Sequence, residues 1–156
     1  MKRTDDVIIF KENLLALRQA MSWLEHSIDL CSSIKDFSSL SQSDYDYLEL
    51  VTARYARCTD LLFNKIFRGI YLIEMGSNPS MLDSLFYLSK KGIVTSVNDI
   101  RFLKELRNDI VHEYLLENLN ELYENVYKYS PVVLATALAT LNYSEELISG
   151  LQVSES

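Results

Sequence analysis

Four glycines and two prolines are all that interrupt this chain of 156 residues. Folds built from short strands need such residues at every reversal, so a chain this poor in them has few places to turn. What remains is a small number of long helices, and the apolar residues repeat accordingly. Ile8, Leu14, Leu15, Leu17, Met21, Leu24, Ile28 and Leu30 recur at helical spacing and predict a first helix over about 6–35. Leu48, Val51, Tyr55, Cys58, Leu62, Ile66, Ile70 and Ile73 step by three or four, a stripe that predicts a second long helix over about 45–74.

Local signals divide the rest. SSLSQSD (38–44) is a polar loop with several N-cap candidates. GSNPS (76–80) stops the second helix, and Ser80 with Asp83 resembles a capping box, opening a short helix over about 80–91 that ends at Gly92. Ser96 or Asn98 caps the next helix, and residues 118–129 continue helical. Ser130-Pro131 reads either as the start of a last helix or as a kink within one long helix. The chain length suits one domain with a sizeable core, and no repeat, low-complexity segment or linker divides it. The expectation is an all-α antiparallel helical bundle of about five to six helices, one domain over residues 1–156 with 1–5 and 151–156 frayed.

The net charge of −7 argues against a generic nucleic-acid coat, but the charge is unevenly placed. Residues 41–112 hold nine acids and nine bases, whereas residues 113–156 hold seven acids and a single base, Lys128. The middle of the chain can therefore present a local basic surface. No apolar run approaches the roughly 20 residues that a membrane span needs. MKRTDDVIIF sets acids after its two bases, and its apolar run is too short for a secretory signal. A cytoplasmic protein is expected, with Cys31 and Cys58, which lack CxxC spacing, as two buried thiols.

The stretch LKELRNDIVHEYL (103–115) carries more chemistry than packing requires. Ile100, Leu103, Leu106 and Ile110 form its core stripe, and Arg107, Val111 and Tyr114 an adjacent one. Asn108 and His112 are four apart and neighbour each other. Arg107 and His112 are five apart, roughly 140° around an ideal helix, so they flank one edge of the core stripe without sharing a face. That suits a groove rim, or a seam where a second copy of the helix lies alongside. Histidine gives and takes protons near neutral pH. Arginine presents a planar fork to phosphate oxygens. Asparagine can donate to a phosphoryl oxygen or orient the imidazole, and tyrosine can stack on a base. Arg and His together are close to the minimum for RNA cleavage without a metal: His moves the protons of the ribose 2′-OH and the leaving oxygen, and Arg stabilises the charge growing on phosphorus. The same residues also fit an ordinary helix surface, with an exposed histidine near the end and Arg107 in a surface ion pair beside Glu105 or Asp109.

Arg107-Asn108-Asp109-Ile110-Val111-His112-Glu113-Tyr114 reads R-N-x3-H-x-Y, and this resembles the signature of HEPN-domain proteins, more narrowly the HepT-like toxins. LVTARYARCTDLLFNKIFRGI (50–70) is similar to the long second helix of that group, and SMLDSLFYLSKKGIV (80–94) to the short helix and turn before the motif, as is the FLKELRN approach (102–108). The resemblance covers about residues 5–130. It implies a helical bundle that forms a symmetric homodimer and brings two motifs together across a cleft. It implies a metal-independent endoribonuclease without cofactor, cleaving mRNA or tRNA, with Arg107 and His112 catalytic and Asn108 supporting. It further implies that Tyr114 supports the site and is adenylylated by a partner minimal nucleotidyltransferase (MNT) antitoxin. Added bulk and negative charge two residues from His112 would obstruct an RNA phosphate. Some relatives are instead noncatalytic partner subunits that bind substrates for a nucleotidyltransferase, and that alternative stays open.

Arg54, Arg57, Asn64 and Arg68 lie along one stripe of the second helix. They form either an RNA-phosphate track or a solvated face that an antitoxin could cover. Lys104 and Arg101, one and two turns before Arg107, extend a positive rim. His26 has no partner motif and is assigned to structure. The other tyrosines read as core or rim residues. There is no Gly-rich phosphate loop, no Ser-His-Asp pattern and no plausible metal cluster.

Overall fold

Ser41 opens the second helix by satisfying backbone groups that a helix start leaves bare. Its hydroxyl accepts from the Asp44 N–H at 3.1 Å, and the Asp44 carboxylate accepts from the Ser41 N–H at 3.0 Å. This reciprocal capping box selects one of the candidates in the polar loop. In a computed structural model that describes residues 2–112 and 118–155, every regular element is a helix: α1 (Lys2–Leu30), α2 (Gln42–Asp60), a π-helical segment (Leu61–Ile66), α3 (Phe67–Met75), α4 (Met81–Lys90), α5 (Val97–His112) and α6 (Leu119–Glu155). The π segment joins α2 and α3 without a break, so they form one rod and the described residues make five.

All eight positions of the second-helix stripe, Leu48 to Ile73, are buried. The first helix is less regular than its spacing suggests. Leu14, Leu17 and Leu24 are buried with Phe10 and Ala20, but Ile8 and Leu15 face solvent. It also stops at Leu30 rather than near 35, where Cys31 and Ile34 close turns onto Ile28 and Cys31. Ser32 and Ser33 sit there, residues that favour turns over helix. Gly76 and Gly92 both take positive φ, 78° and 76°, as helix-terminating residues do. The Gly92 N–H reaches the Ser89 carbonyl and the Ile93 N–H that of Leu88.

α1 runs antiparallel to the rod, its Phe10 against Gly69 and its Trp23 against Arg54 and Arg57. α6 runs in the same sense as the rod: Tyr45 bonds Asn120, Tyr123 bonds Glu49, and Tyr143 bonds Glu74. The antiparallel expectation thus holds for α1 alone among these pairs. The return stroke is made by α4 and α5, which carry the chain back to the end where the rod began. α6 continues through Ser130-Pro131 as one helix, the second of the two alternatives. Pro131 has no N–H to offer the Tyr127 carbonyl, and the buried Ser130 hydroxyl donates to the Val126 carbonyl at 2.6 Å beside that gap.

The core lies where α1, the rod and α6 meet, with α5 closing one side. Tyr55 is fully buried and donates its hydroxyl to the Leu103 carbonyl at 2.8 Å, fixing α5 to α2 at mid-helix. On the opposite side of the rod, a Cβ built on Gly69 would come within 2.6 Å of the Phe10 ring, so this glycine lets α1 and α3 approach closely.

Candidate functional site

α5 begins at Ser96, whose hydroxyl accepts from the Asp99 N–H and whose carbonyl accepts from the Ile100 N–H. Ser96, not Asn98, is therefore the cap. Ile100, Leu103 and Leu106 are buried and Ile110 partly so, which fixes the rotation of the helix. Arg107 then lies at the edge of the buried face, half-buried and turned towards α2.

There it meets Asp60. The Arg107 Nε donates to Asp60 Oδ1 at 2.7 Å and Nη2 donates to Oδ2 at 2.9 Å, a two-pronged pair. Such forks are directional and hold the guanidinium plane. Hydrogen bonding to the carboxylate raises the Arg107 pKa, against an opposing effect of burial. Of the five N–H donors on the guanidinium, two are used in the fork, and the other three have no hydrogen-bond partner among the described residues. Arg107 pairs with neither Glu105 nor Asp109, the partners that a surface reading nominates.

Asp60 is the last residue before the π segment, where the Phe67 N–H bonds back five residues to the Leu62 carbonyl. Such wide turns occur often at functional sites, because one extra residue re-aims the side chains around it. The sequence reading missed Asp60. Its partner is 47 residues away, beyond any helical spacing. A signal was present nonetheless: Asp60 is the lone acid among Arg54, Arg57, Lys65 and Arg68 in residues 50–70.

Asn108 and His112 are exposed, one turn apart on the same strip of α5. Arg101 is exposed and Lys104 half-buried on the preceding turns, and both open with Asn108 onto a groove of about 340 Å³ between α4 and α5. Arg107 lies off the strip that carries Asn108 and His112, in keeping with its separation from His112 around the helix. Tyr114 lies outside the described residues.

The arginines of the rod are placed elsewhere. Arg54 donates to the Trp23 carbonyl at 2.7 Å, and the Arg57 guanidinium lies 5.4 Å from the centre of the Trp23 ring. Both are thus engaged on α1. Arg68 and Asn64 are exposed. His26 is exposed on α1. Cys31 and Cys58 are free and buried, and burial pushes their pKa up to about 11 and about 12, so both stay protonated at neutral pH. Among the described residues no group of His, Cys, Asp or Glu is placed to hold a metal, and no helix is long and apolar enough to cross a membrane. Comparison of the chain with protein-family models, with curated proteins and with solved structures found no match.

Proposed function

We propose that this chain is a HEPN-type, HepT-like toxin: a metal-independent endoribonuclease, active as a symmetric homodimer and neutralised by an MNT antitoxin that adenylylates Tyr114. The observation that carries the reading is the fork from Asp60 to Arg107. It holds an arginine whose remaining N–H groups have no partner among the described residues and can serve a phosphate, one helical turn and a half from an exposed histidine on the same motif. In the reaction, the ribose 2′-oxygen attacks the adjacent phosphorus and the 5′-oxygen leaves. His112 accepts the 2′-OH proton or protonates the departing oxygen, Arg107 stabilises the phosphorane-like charge, and Asn108 orients.

Arg107 and His112 stand roughly 140° apart on one helix, so a single copy presents them poorly to one phosphate. A second α5 across a two-fold axis would supply the missing group to each site. Exposed Val111 beside His112 is compatible with such a seam.

The test is incubation of the wild-type chain, Arg107→Ala and His112→Ala with tRNA and mRNA in EDTA. Cleavage by wild type alone supports the reading, whereas equal cleavage by His112→Ala sinks it. Mixing the two inactive variants should restore activity if the groups act across the dimer, because the mixed dimer keeps one of its two sites intact. A second reading, a noncatalytic partner subunit of a nucleotidyltransferase, is favoured by one feature: Asp60 offsets the Arg107 charge and ties the side chain into the fold. No cleavage by any folded dimer would select it.

A further inference from the structure

The groove between α4 and α5 has a divided lining. Its floor is apolar, made by Met81, Leu82 and Leu85. Its rim is polar: Arg101, Lys104, Glu105 and Asn108, all from α5. Among the described residues, none of these four side chains has a hydrogen-bonding or ion-pairing partner, in contrast to Arg18, Arg54 and Arg107, which do. Glu105 sits four residues from Arg101 and one from Lys104, yet pairs with neither. Leu82 is 44% exposed, and Phe86, one turn further along α4, is 53% exposed. Apolar side chains left open beside unpaired charges describe a surface shaped for a flat, partly polar guest.

We propose that this groove seats one nucleobase of single-stranded RNA, next to the phosphate held at the motif, and that Glu105 selects a base bearing an exocyclic amine. This deepens the ribonuclease reading and rests on it. The apolar floor of Met81, Leu82 and Leu85 offers a face for the ring. Arg101 and Lys104 supply two positive charges for the flanking phosphates. Asn108 belongs to the motif and to the groove, which makes the two sites continuous along one strip of α5.

The selectivity follows from what a carboxylate can do. Glu105 only accepts hydrogen bonds. Adenine, cytosine and guanine each present an amine to it, and guanine adds a ring N–H alongside. Uracil presents one N–H between two carbonyl oxygens, which a carboxylate repels. A charge-assisted bond of this kind discriminates by about tenfold or more.

The experiment uses the full chain and measures fluorescence anisotropy of labelled 2′-O-methyl oligouridylates, which lack the attacking hydroxyl, with the central residue U, A, C or G. Wild type should bind the amine-bearing oligonucleotides about tenfold more tightly than the all-uridine one. Glu105→Gln and Leu82→Ser, both at exposed positions, should bring the ratio close to one while helicity by circular dichroism is unchanged. Equal affinities in wild type, or a preference that both variants keep, would overturn the inference even if the chain cleaves RNA. A preference lost in both variants, in a chain that cuts no RNA, would keep the groove and sink the nuclease.

Discussion

Asp60 and Arg107 share two hydrogen bonds across 47 residues, and they join the rod of the bundle to its motif-bearing helix. The pair is partly open to solvent, so its stability is worth about 1 kcal/mol or less. Its value under the proposed function is positional. Asp60→Asn should leave the melting temperature nearly unchanged and lower RNA cleavage by roughly ten- to a hundredfold, the scale expected when a reactive group loses its alignment. Arg107→Lys should lose as much, since an ammonium cannot make the fork. Cleavage unchanged in Asp60→Asn would remove the pair from the site.

Gly69 makes a prediction about the opposite side of the rod. Its α-hydrogen faces the ring of Phe10, which is 2% exposed and has little room to yield. Gly69→Ala gains helix propensity of up to about 1 kcal/mol but overpacks the contact by about 1–3 kcal/mol. The net loss should lower the melting temperature by roughly 2–4 °C per kcal/mol. Adding Phe10→Leu should make the alanine less costly than it is alone, which a double-mutant cycle would read.

Glu74 receives two phenols, from Tyr87 at 2.6 Å and from Tyr143, and so ties α3 to α4 and α6. Burial first, and then this hydrogen bond, push the Tyr87 pKa up to about 12. Glu74→Gln removes the carboxylate's share of that shift. Spectrophotometric titration should then show Tyr87 ionising at a lower pH than in wild type, and the variant should lose about 1–3 kcal/mol of stability. An unmoved tyrosine titration would mean that burial alone sets the value.

The two buried thiols predict an alkaline limit. Their ordinary pKa is 9.0, and burial raises it to about 11 at Cys31 and about 12 at Cys58. The folded state therefore keeps protons that the unfolded chain releases. That contribution is fully present below pH 9.0, declines as pH rises, and is gone once pH passes the folded values. Denaturation midpoints should fall between pH 9 and 11, less steeply in Cys58→Ala than in wild type. Native thiols should resist alkylation at pH 8 and react once denaturant is added.

What could be read in the sequence was the part that depends on neighbours along the chain. The stripe from Leu48 to Ile73 is buried at every position, because period alone decides which face of a long helix meets the core. Ile8 and Leu15 escaped that logic. They share a helical face with each other, yet both are more than half exposed, and periodicity cannot report how far a neighbouring helix covers a face. The partner of Arg107 was hidden for a similar reason: helix order does not specify which residues of α2 and α5 come level. The π segment was half visible, since Cys58, Leu62, Ile66 and Ile70 are spaced by four three times running, wider than an α-helix sustains on one face.

That wide turn bears on how the chain can change by descent. Point substitutions can alter what its side chains touch, but only loss of a residue can abolish the turn itself. A one-residue deletion within 61–66 would rotate everything beyond it by roughly 100° relative to everything before. Asp60 would still face Arg107 while Gly69 turned away from Phe10, or Gly69 would stay and Asp60 would swing off. The contact at the motif and the contact on the far side of the bundle are thus inherited together, and a lineage that trims this segment should be found to have lost one of them.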